Sequence, residues 1–299
     1  MDKHKFIATP SRTAELLKKY HFTFKKSLGQ NFLIDVNVLE NIIKHADITN
    51  TSGVIEIGPG IGSLTEQLAL HAKQVIAYEI DERLRPLLAE SLSRYKNVQI
   101  IFQDILEANI TDDIASYLSH VTDIHVVANL PYYMTTPIIM ELLAAKLPIK
   151  RLTIMIQKEV AERIEALPNT KNYGSLSVAV QYFTEAKIVM DVSRHVFMPK
   201  PNVDSSVLTL TLRDKPPVDV IDERYFFAIV RACFAQRRKT LRNNLVSFFK
   251  DRLSREVVGQ TIKQTNIDER RRGETLSMEE FARLANTFYD IEQEKNKLY

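Results

Sequence analysis

The fold of this chain is decided by the stretch Glu56-Ile57-Gly58-Pro59-Gly60-Ile61-Gly62. A short apolar run at 54–57 leads into it, and a helical pattern at 63–70 follows it. Glycines at such a junction let the backbone turn tightly and approach a ligand at the carboxyl end of a strand. The stretch therefore predicts a strand–turn–helix unit that binds a ligand.

Apolar runs and helical patterns alternate around this turn, from Gly53 to about Arg213. Five compact runs predict buried strands, at 54–57, 74–78, 98–102, 124–128 and 152–156. Two later runs, 187–192 and 207–212, lack a long helix between them and predict a pair of antiparallel, hairpin-like strands, either at an edge of the sheet or inserted into it. The fold class is therefore α/β, with a Rossmann-like, mostly parallel sheet of seven strands.

A break in composition at Asp214-Lys215-Pro216-Pro217 separates a second region, because consecutive prolines end helices and strands. Helical patterns alone follow it, and the last is opened by a capping box of Ser277 and Glu280. We expect a domain over 1–213, whose first 50 residues form a helical extension, and a small all-helical domain over 214–299.

The composition excludes several classes of protein. The chain has 299 residues, 45% of them hydrophobic, and no apolar run reaches the roughly 20 residues that span a bilayer. Its polar N-terminus lacks the apolar core of a signal peptide. The single cysteine, Cys233, excludes an internal disulfide and disfavours a cysteine-ligated metal. We expect a cytoplasmic monomer with no membrane partner and no metal.

Three carboxylates suggest what the glycine turn holds. Glu56 stands just before the first glycine, where it would repel a pyrophosphate but suit an ammonium and a sulfonium group. Glu79 ends the next strand, at the spacing from which a carboxylate meets a ribose. Asp104 follows the third strand, where it could accept from an adenine amine. The G-x-G-x-G spacing and these acids predict a pocket for S-adenosylmethionine, to which Gly58 and Gly60 also contribute.

Other interpretations of these residues remain open at this point. The turn could belong to a nicotinamide-dependent oxidoreductase or be purely structural. Glu56 and Glu79 could be surface acids, and Asp104 could be a helix N-cap.

The segment Asn129-Leu130-Pro131-Tyr132-Tyr133 follows the fourth strand and predicts the chemistry. The lone pair of an adenine N6 amine is delocalised into the ring, so the amine is a poor nucleophile. The amide oxygen of Asn129 and a backbone carbonyl near Leu130 could accept both N6 hydrogens and free that lone pair. Tyr132 could stack on the base. The alternative is a strand-to-loop turn with an aromatic plug.

A second aromatic candidate precedes the last strand, in the proline-containing loop 197–206. Phe197 could clamp the other face of a base that has left its helix. The alternative is an ordinary core phenylalanine.

Basic residues suggest a nucleic-acid partner, although the formal net charge is only +3. The candidates for phosphate contact are Lys25, Lys26, Arg231, Arg237, Arg238, Lys239 and Arg242. The alternative is a solvated helix face.

Five motifs taken together resemble a known family. They are residues 27–33 (SLGQNFL), 56–62, 129–132, 197–206 and 234–241 (FAQRRKTL). The set resembles the ribosomal RNA adenine dimethyltransferases, and within them the bacterial small-subunit branch. The motifs appear in order over nearly the whole chain.

The resemblance implies more than the residues alone predict. It implies that Asn31 and Leu33 contact S-adenosylmethionine, together with Gly58, Glu79, Asp104 and Asn129. It implies dimethylation of two adjacent adenosines in the 3′-terminal hairpin of 16S rRNA, within an assembling small ribosomal subunit. The competing hypotheses are a methyltransferase that acts on 23S rRNA and confers antibiotic resistance, a non-catalytic assembly factor, and the oxidoreductase.

Overall fold

The computed structural model describes residues 6–25 and 28–297. The chain divides into two compact units, residues 1–161 with 185–212, and residues 162–184 with 213–299. The second junction falls at the composition break that the sequence predicts. Residues 162–184, which we expected in the first domain, instead pack in the helical unit, because Tyr173, Val178 and Tyr182 are buried in its core.

A seven-stranded sheet forms the centre of the first unit, with strand order β4-β3-β2-β5-β6-β9-β7. The strands are β2 (Gly53–Ile57), β3 (Gln74–Glu79), β4 (Val98–Phe102), β5 (Ile124–Asn129), β6 (Arg151–Gln157), β7 (Thr184–Val192) and β9 (Ser205–Leu212). Strands β2 to β6 pair in parallel, and β9 pairs antiparallel with β6. The predicted α/β class, with a mostly parallel sheet, is confirmed.

Helices and a small ribbon surround this sheet. The helices are α1 (Pro10–Lys19), α2 (Val36–Ala46), α3 (Ser63–His71), α4 (Arg85–Ser91), α5 (Ile110–Tyr117), α6 (Thr135–Ala144) and α7 (Lys158–Glu165), the last of which crosses the unit boundary. Strands β1 (Phe32–Leu33) and β8 (Phe197–Met198) pair antiparallel. One apolar cluster joins α2 and α3 to the sheet through Leu39, Leu68 and Val127.

The helical pattern of the sequence at 82–93 forms two separate elements in the structure. A 3₁₀ turn at Glu82–Leu84 precedes α4. Pro86 explains the break, because proline lacks the N–H that a helix interior needs but fits its first turn.

The second unit is helical and has its own core. Its helices are α8 (Ser175–Phe183), α9 (Glu223–Cys233), α10 (Leu241–Phe248), α11 (Arg255–Gln264) and α12 (Met278–Lys297). Phe249 and Phe288 are fully buried and stack with ring centroids 4.6 Å apart. The predicted capping box forms, since Ser277 N–H donates to Glu280 (2.9 Å) and Glu280 N–H donates to Ser277 Oγ (3.3 Å). Among the described residues, no helix has the length and apolar character to cross a membrane.

The sheet topology places the glycine turn at a crevice. Strands β2 and β5 are neighbours, and the chain continues from β2 to β3 on one side but from β5 to β6 on the other, so the connections that follow them run in opposite directions. Ligands bind outside the carboxyl ends of parallel strands at such a switch point. Residues that end neighbouring strands, Ile57, Glu79 and Asn129, meet at this edge.

Candidate active site

A cavity opens at this edge, and most of the predicted site residues line it. From the predicted set its walls include Asn31, Leu33, Glu56, Gly58, Gly60, Glu79, Asn129, Leu130, Pro131 and Tyr132. Four further residues line it to which the sequence analysis gave no role of their own: Leu28 and Gln30, within the motif at 27–33, and Ile80 and Met155. Their apolar or neutral side chains carry no spacing signal that would have identified them.

The glycine turn comes close to the N-terminal segment. Gly60 has φ +58°, in the left-handed region that favours glycine. A Cβ atom there would lie 2.8 Å from a ring carbon of Phe32. Any larger residue would push the Phe32 ring away, so the turn and the N-terminal segment fit only with glycine at position 60.

Glu79 is held by two backbone donors. Its carboxylate accepts from Gly60 N–H (3.0 Å) and from Asp81 N–H (2.8 Å). Burial raises the pKa of Glu79 to about 7, although these backbone hydrogen bonds oppose the rise. The oxygens are therefore fixed in direction at the end of β3, as recognition of a ribose diol requires.

Glu56 is a buried carboxylate, 1% exposed, whose oxygens are not hydrogen-bonded in the described part of the chain. Burial raises the pKa of Glu56 to about 8; the nearby Thr65 hydroxyl opposes this rise, and the charge of Glu79 adds to it. Buried charges are normally paired, so this wall of the cavity fits a ligand that carries a cation.

Asn129 is oriented by the N-terminal segment. Its Nδ2 donates to the backbone carbonyl of Asn31, at 3.1 Å. The amide nitrogen is thus engaged, which leaves Oδ1 as the acceptor for a substrate. The carbonyl of Pro131 accepts from Met134 N–H (3.0 Å), so the carbonyl of Leu130 is the better candidate for a second acceptor.

The two tyrosines after Pro131 differ in their contacts. The hydroxyl of Tyr132 lies 2.9 Å from Ser205 Oγ at the start of β9, and burial raises its pKa. Tyr133 is 53% exposed, and its ring lies against Gly29. Tyr132 is therefore the ring whose position the protein fixes.

Two predicted residues lie outside the cavity wall. Phe197 is 4% exposed, pairs with Leu33 between β8 and β1, and packs in the α2–α3 cluster. Contact with a base would require its ring to leave that cluster. Asp104 accepts from Leu106 N–H (3.0 Å) in a turn after β4 and is not a helix N-cap, because the next helix, α5, is capped by Asn109. Their roles at the site remain predictions.

The basic residues fall into two groups by their contacts. Arg231, Arg238 and Lys239 are exposed, and none forms an ion pair within the described ranges. Arg237 donates to the carbonyls of Lys171 (3.1 Å) and Tyr173 (3.5 Å) in the second unit.

Arg242 and the N-terminal lysines complete the predicted basic set. Arg242 pairs with Glu269 at 3.0 Å. Lys25 is exposed, and Lys26 lies outside the described residues. Arg237 and Arg242 therefore have structural partners, which the sequence pattern could not show.

The fold and the site together define an S-adenosylmethionine-dependent methyltransferase. The site combines a glycine turn at a switch point, a fixed carboxylate at the end of β3, an unpaired buried carboxylate and an oriented asparagine. The chain belongs to the ribosomal RNA adenine dimethylase family, whose model matches residues 21–289. The resemblance drawn from the sequence motifs is confirmed, and the oxidoreductase hypothesis is wrong.

Curated relatives cover almost the whole chain. The "Ribosomal RNA small subunit methyltransferase A" of Oceanobacillus iheyensis is 59% identical over 292 residues, which are 98% of this chain and 99% of the relative. The protein of the same name from Geobacillus thermodenitrificans is 59% identical over 289 residues, 96% of this chain and 99% of its own length.

Solved structures share the fold. A dimethyladenosine transferase from Plasmodium falciparum superposes with a TM-score of 0.72 at 24% identity, covering 88% of this chain and 98% of the other. The 23S rRNA methyltransferase ErmE superposes with a TM-score of 0.63 at 27% identity, covering 86% of this chain and 98% of the other.

Proposed function

We propose that this protein dimethylates the N6 amines of two adjacent adenosines in the 3′-terminal hairpin loop of 16S rRNA, within the assembling small ribosomal subunit. The observation that carries the chemistry is Asn129, whose amide nitrogen is bound to Asn31 so that its oxygen is left for an amine. The choice of subunit is supported by the names of the relatives. The protein acts as a cytoplasmic monomer, where small subunits assemble.

Different residues of the cavity bind different parts of the cofactor. Glu56 takes the ammonium group, and Glu79 takes the ribose hydroxyls, while Asn31 and Leu33 close the N-terminal side. S-adenosylmethionine supplies the methyl group from a sulfonium, which becomes a neutral thioether. The unpaired carboxylate of Glu56 is the structural feature that fits this ligand.

The chain's own contribution to the transfer is mainly positioning. Asn129 Oδ1 and the carbonyl of Leu130 accept the two N6 hydrogens, which favours a pyramidal nitrogen with its lone pair toward the methyl group. Tyr132 holds the base by stacking, worth about 1–3 kcal/mol per base. Oriented reactions gain about 7–11 kcal/mol from such placement. The methylated N6 carries a positive charge and then loses its surplus proton to bulk water, so the transfer itself needs no strong base.

RNA binding uses two kinds of contact. The exposed cations Arg231, Arg238 and Lys239 bind phosphates and orient the substrate without reading its sequence. Selection comes from the shape of the RNA and from extrusion of an unpaired adenine into the cavity.

The test uses small subunits from a strain whose 16S rRNA lacks these methyl groups. The protein is incubated with them and with labelled S-adenosylmethionine, and modified bases are mapped by primer extension. We expect label at two adjacent adenosines near the 3′ end, approaching four methyl groups per subunit. Large subunits from the same strain serve as the control. Label in 23S rRNA instead would favour the antibiotic-resistance class, and no label in any RNA would favour the assembly factor.

A further inference from the structure

Gln30, Asp81 and Arg83 form a hydrogen-bonded cluster, the Asp81 cluster, that reaches the cofactor cavity through Gln30 alone among its three members. The Asp81 side chain is 2% exposed and is not among the residues that line the cavity. Its carboxylate accepts from Arg83 Nε (2.8 Å), from Arg83 Nη2 (2.5 Å) and from Gln30 Nε2 (2.8 Å). Asp81 therefore accepts several hydrogen bonds, although the proposed methyl transfer gives it no role.

The backbone of Asp81 connects this cluster to the ribose-directed carboxylate. Asp81 N–H donates to one oxygen of Glu79 (2.8 Å), while Gly60 N–H donates to the other (3.0 Å). A shift of Asp81 would therefore turn the Glu79 carboxylate away from its direction into the cavity.

The side chains of the cluster hold the N-terminal segment. Gln30 Oε1 accepts from Lys25 N–H (2.9 Å), and Arg83 Nη1 donates to the carbonyl of Thr23 (3.0 Å). The Arg83 guanidinium also lies 4.9 Å from the ring centre of Phe22. Gln30 is followed directly by Asn31, whose carbonyl orients Asn129. One buried carboxylate thus links the two sides of the cavity.

The charge of Asp81 favours a fixed geometry. Burial by itself raises the pKa of Asp81, but hydrogen bonds from Arg83 and Gln30 outweigh it and hold the pKa below its usual range. The group is therefore ionised at neutral pH, where charge-assisted hydrogen bonds are roughly twice as strong as neutral ones.

We propose that Asp81 and Gln30 are positioning residues that set the affinity for the adenosine half of S-adenosylmethionine, acting through Glu79 and through Asn31. The inference rests on the proposed use of this cavity for S-adenosylmethionine. Asp81 touches neither the cofactor nor the reacting atoms, so its loss weakens cofactor binding and leaves the transfer step intact.

The test measures binding of S-adenosylhomocysteine, the demethylated product, by calorimetry without RNA. Asp81→Asn keeps the size of the side chain but removes its charge, and we expect the Kd to rise about tenfold to a hundredfold. Gln30→Ala removes the hydrogen bonds to Asp81 and to Lys25 N–H together with part of the cavity wall, and we expect a rise of about threefold to tenfold. The matched control is Glu82→Gln, because Glu82 is 63% exposed and, among the residues that the structure describes, pairs only with Arg85. Its Kd stays within about twofold of wild type.

Turnover distinguishes positioning from a general loss of structure. In Asp81→Asn, KM for S-adenosylmethionine rises with Kd, whereas kcat at saturating cofactor stays within about threefold. Unchanged Kd values in both variants would overturn the proposal, and so would a fall in kcat at unchanged Kd. If Asp81→Asn fails to fold, Arg83→Gln decides instead, because Arg83 donates to both oxygens of Asp81 and does not line the cavity. Failure of the wild-type protein to bind S-adenosylhomocysteine would instead overturn the proposed function.

Discussion

The side-chain amide of Asn129 donates to the backbone carbonyl of Asn31, at 3.1 Å and across 98 residues of sequence. The contact joins the end of β5 to the segment that leads into β1. It determines which end of the Asn129 amide is left for a substrate, because the nitrogen is already engaged. This hydrogen bond therefore connects the wall of the cavity that faces the cofactor to the wall that faces the substrate.

Replacing Asn129 by alanine tests this orientation. We expect Asn129→Ala to lower kcat for methyl transfer by about 100-fold to 1,000-fold, the usual effect of losing one preorganised polar contact. Binding of S-adenosylhomocysteine weakens by less than about tenfold, since Asn129 is one of many cavity contacts. Label transfer to small subunits and calorimetry measure the two effects. Asn109→Ala, at the exposed N-cap of α5, is the control. Wild-type kcat in Asn129→Ala would refute the assignment.

The pH dependence of stability tests the buried carboxylates. The pKa of Glu56 is raised to about 8 in the folded, ligand-free protein, so the unfolded chain loses its proton at lower pH. The free energy of unfolding therefore falls as pH rises toward 8, by about 1.4 kcal/mol per pH unit for one such group. Glu79 adds to the fall up to about pH 7. Denaturant unfolding at pH 5.5 to 8.5, a range of about three units, measures the slope.

Two variants separate the contribution of Glu56. Glu56→Gln flattens the slope because the amide does not titrate, and it lowers the release of protons on binding of S-adenosylmethionine. Glu107→Gln, an exposed residue after β4, leaves both quantities unchanged. An equal slope in wild type and Glu56→Gln would contradict the role of this carboxylate.

The two groups of cations predict different effects on RNA binding. Replacing Arg231, Arg238 and Lys239 together by alanine removes three exposed charges and reduces the slope of log K against log salt by about 2 to 3. Affinity for S-adenosylhomocysteine stays unchanged. Filter binding of a 3′-terminal 16S hairpin at several salt concentrations measures the slope.

A double variant of Arg237 and Arg242 is the control for the triple variant, because these two cations have structural partners. The double alanine variant loses contacts to Lys171, Tyr173 and Glu269, so we expect a lower melting temperature with a smaller change in salt slope. A triple variant with the wild-type slope would show that the exposed cations do not contact phosphate.

Sequence patterns predicted the parts of this protein that depend on local order. The strands around Gly58 and the helix capped by Ser277 follow from periodicity and turn chemistry, which act over a few residues. The carboxylates Glu56 and Glu79 were found because strand ends of a parallel sheet converge.

Relations between distant segments could not be predicted in this way. The packing of α8 with the helical unit depends on Tyr182 meeting Phe226, with ring centroids 5.3 Å apart. Nothing in the alternation of strands and helices indicates that pair. The hydrogen bond between Gln30 and Asp81 could not be predicted either, because the two residues are 51 positions apart in the sequence. The position of Asn31 came only from resemblance to a family.

Tyr132 allows its ring and its hydroxyl to be tested separately. The hydroxyl bonds Ser205 at 2.9 Å, and the ring lines the cavity. Tyr132→Phe keeps the ring and loses one hydrogen bond, worth about 0.5–1.5 kcal/mol, so we expect kcat/KM for small subunits to fall about twofold to tenfold. Tyr132→Ala removes the stacking surface, which costs a further 1–3 kcal/mol or so per base. Ser205→Ala should match Tyr132→Phe, because it removes the same hydrogen bond.

Tyr133→Ala is the control for the loss of a tyrosine ring, since that ring is 53% exposed and its hydroxyl has no hydrogen bond in the described part of the chain. Equal losses in Tyr132→Phe and Tyr132→Ala would show that the ring does not stack on the substrate.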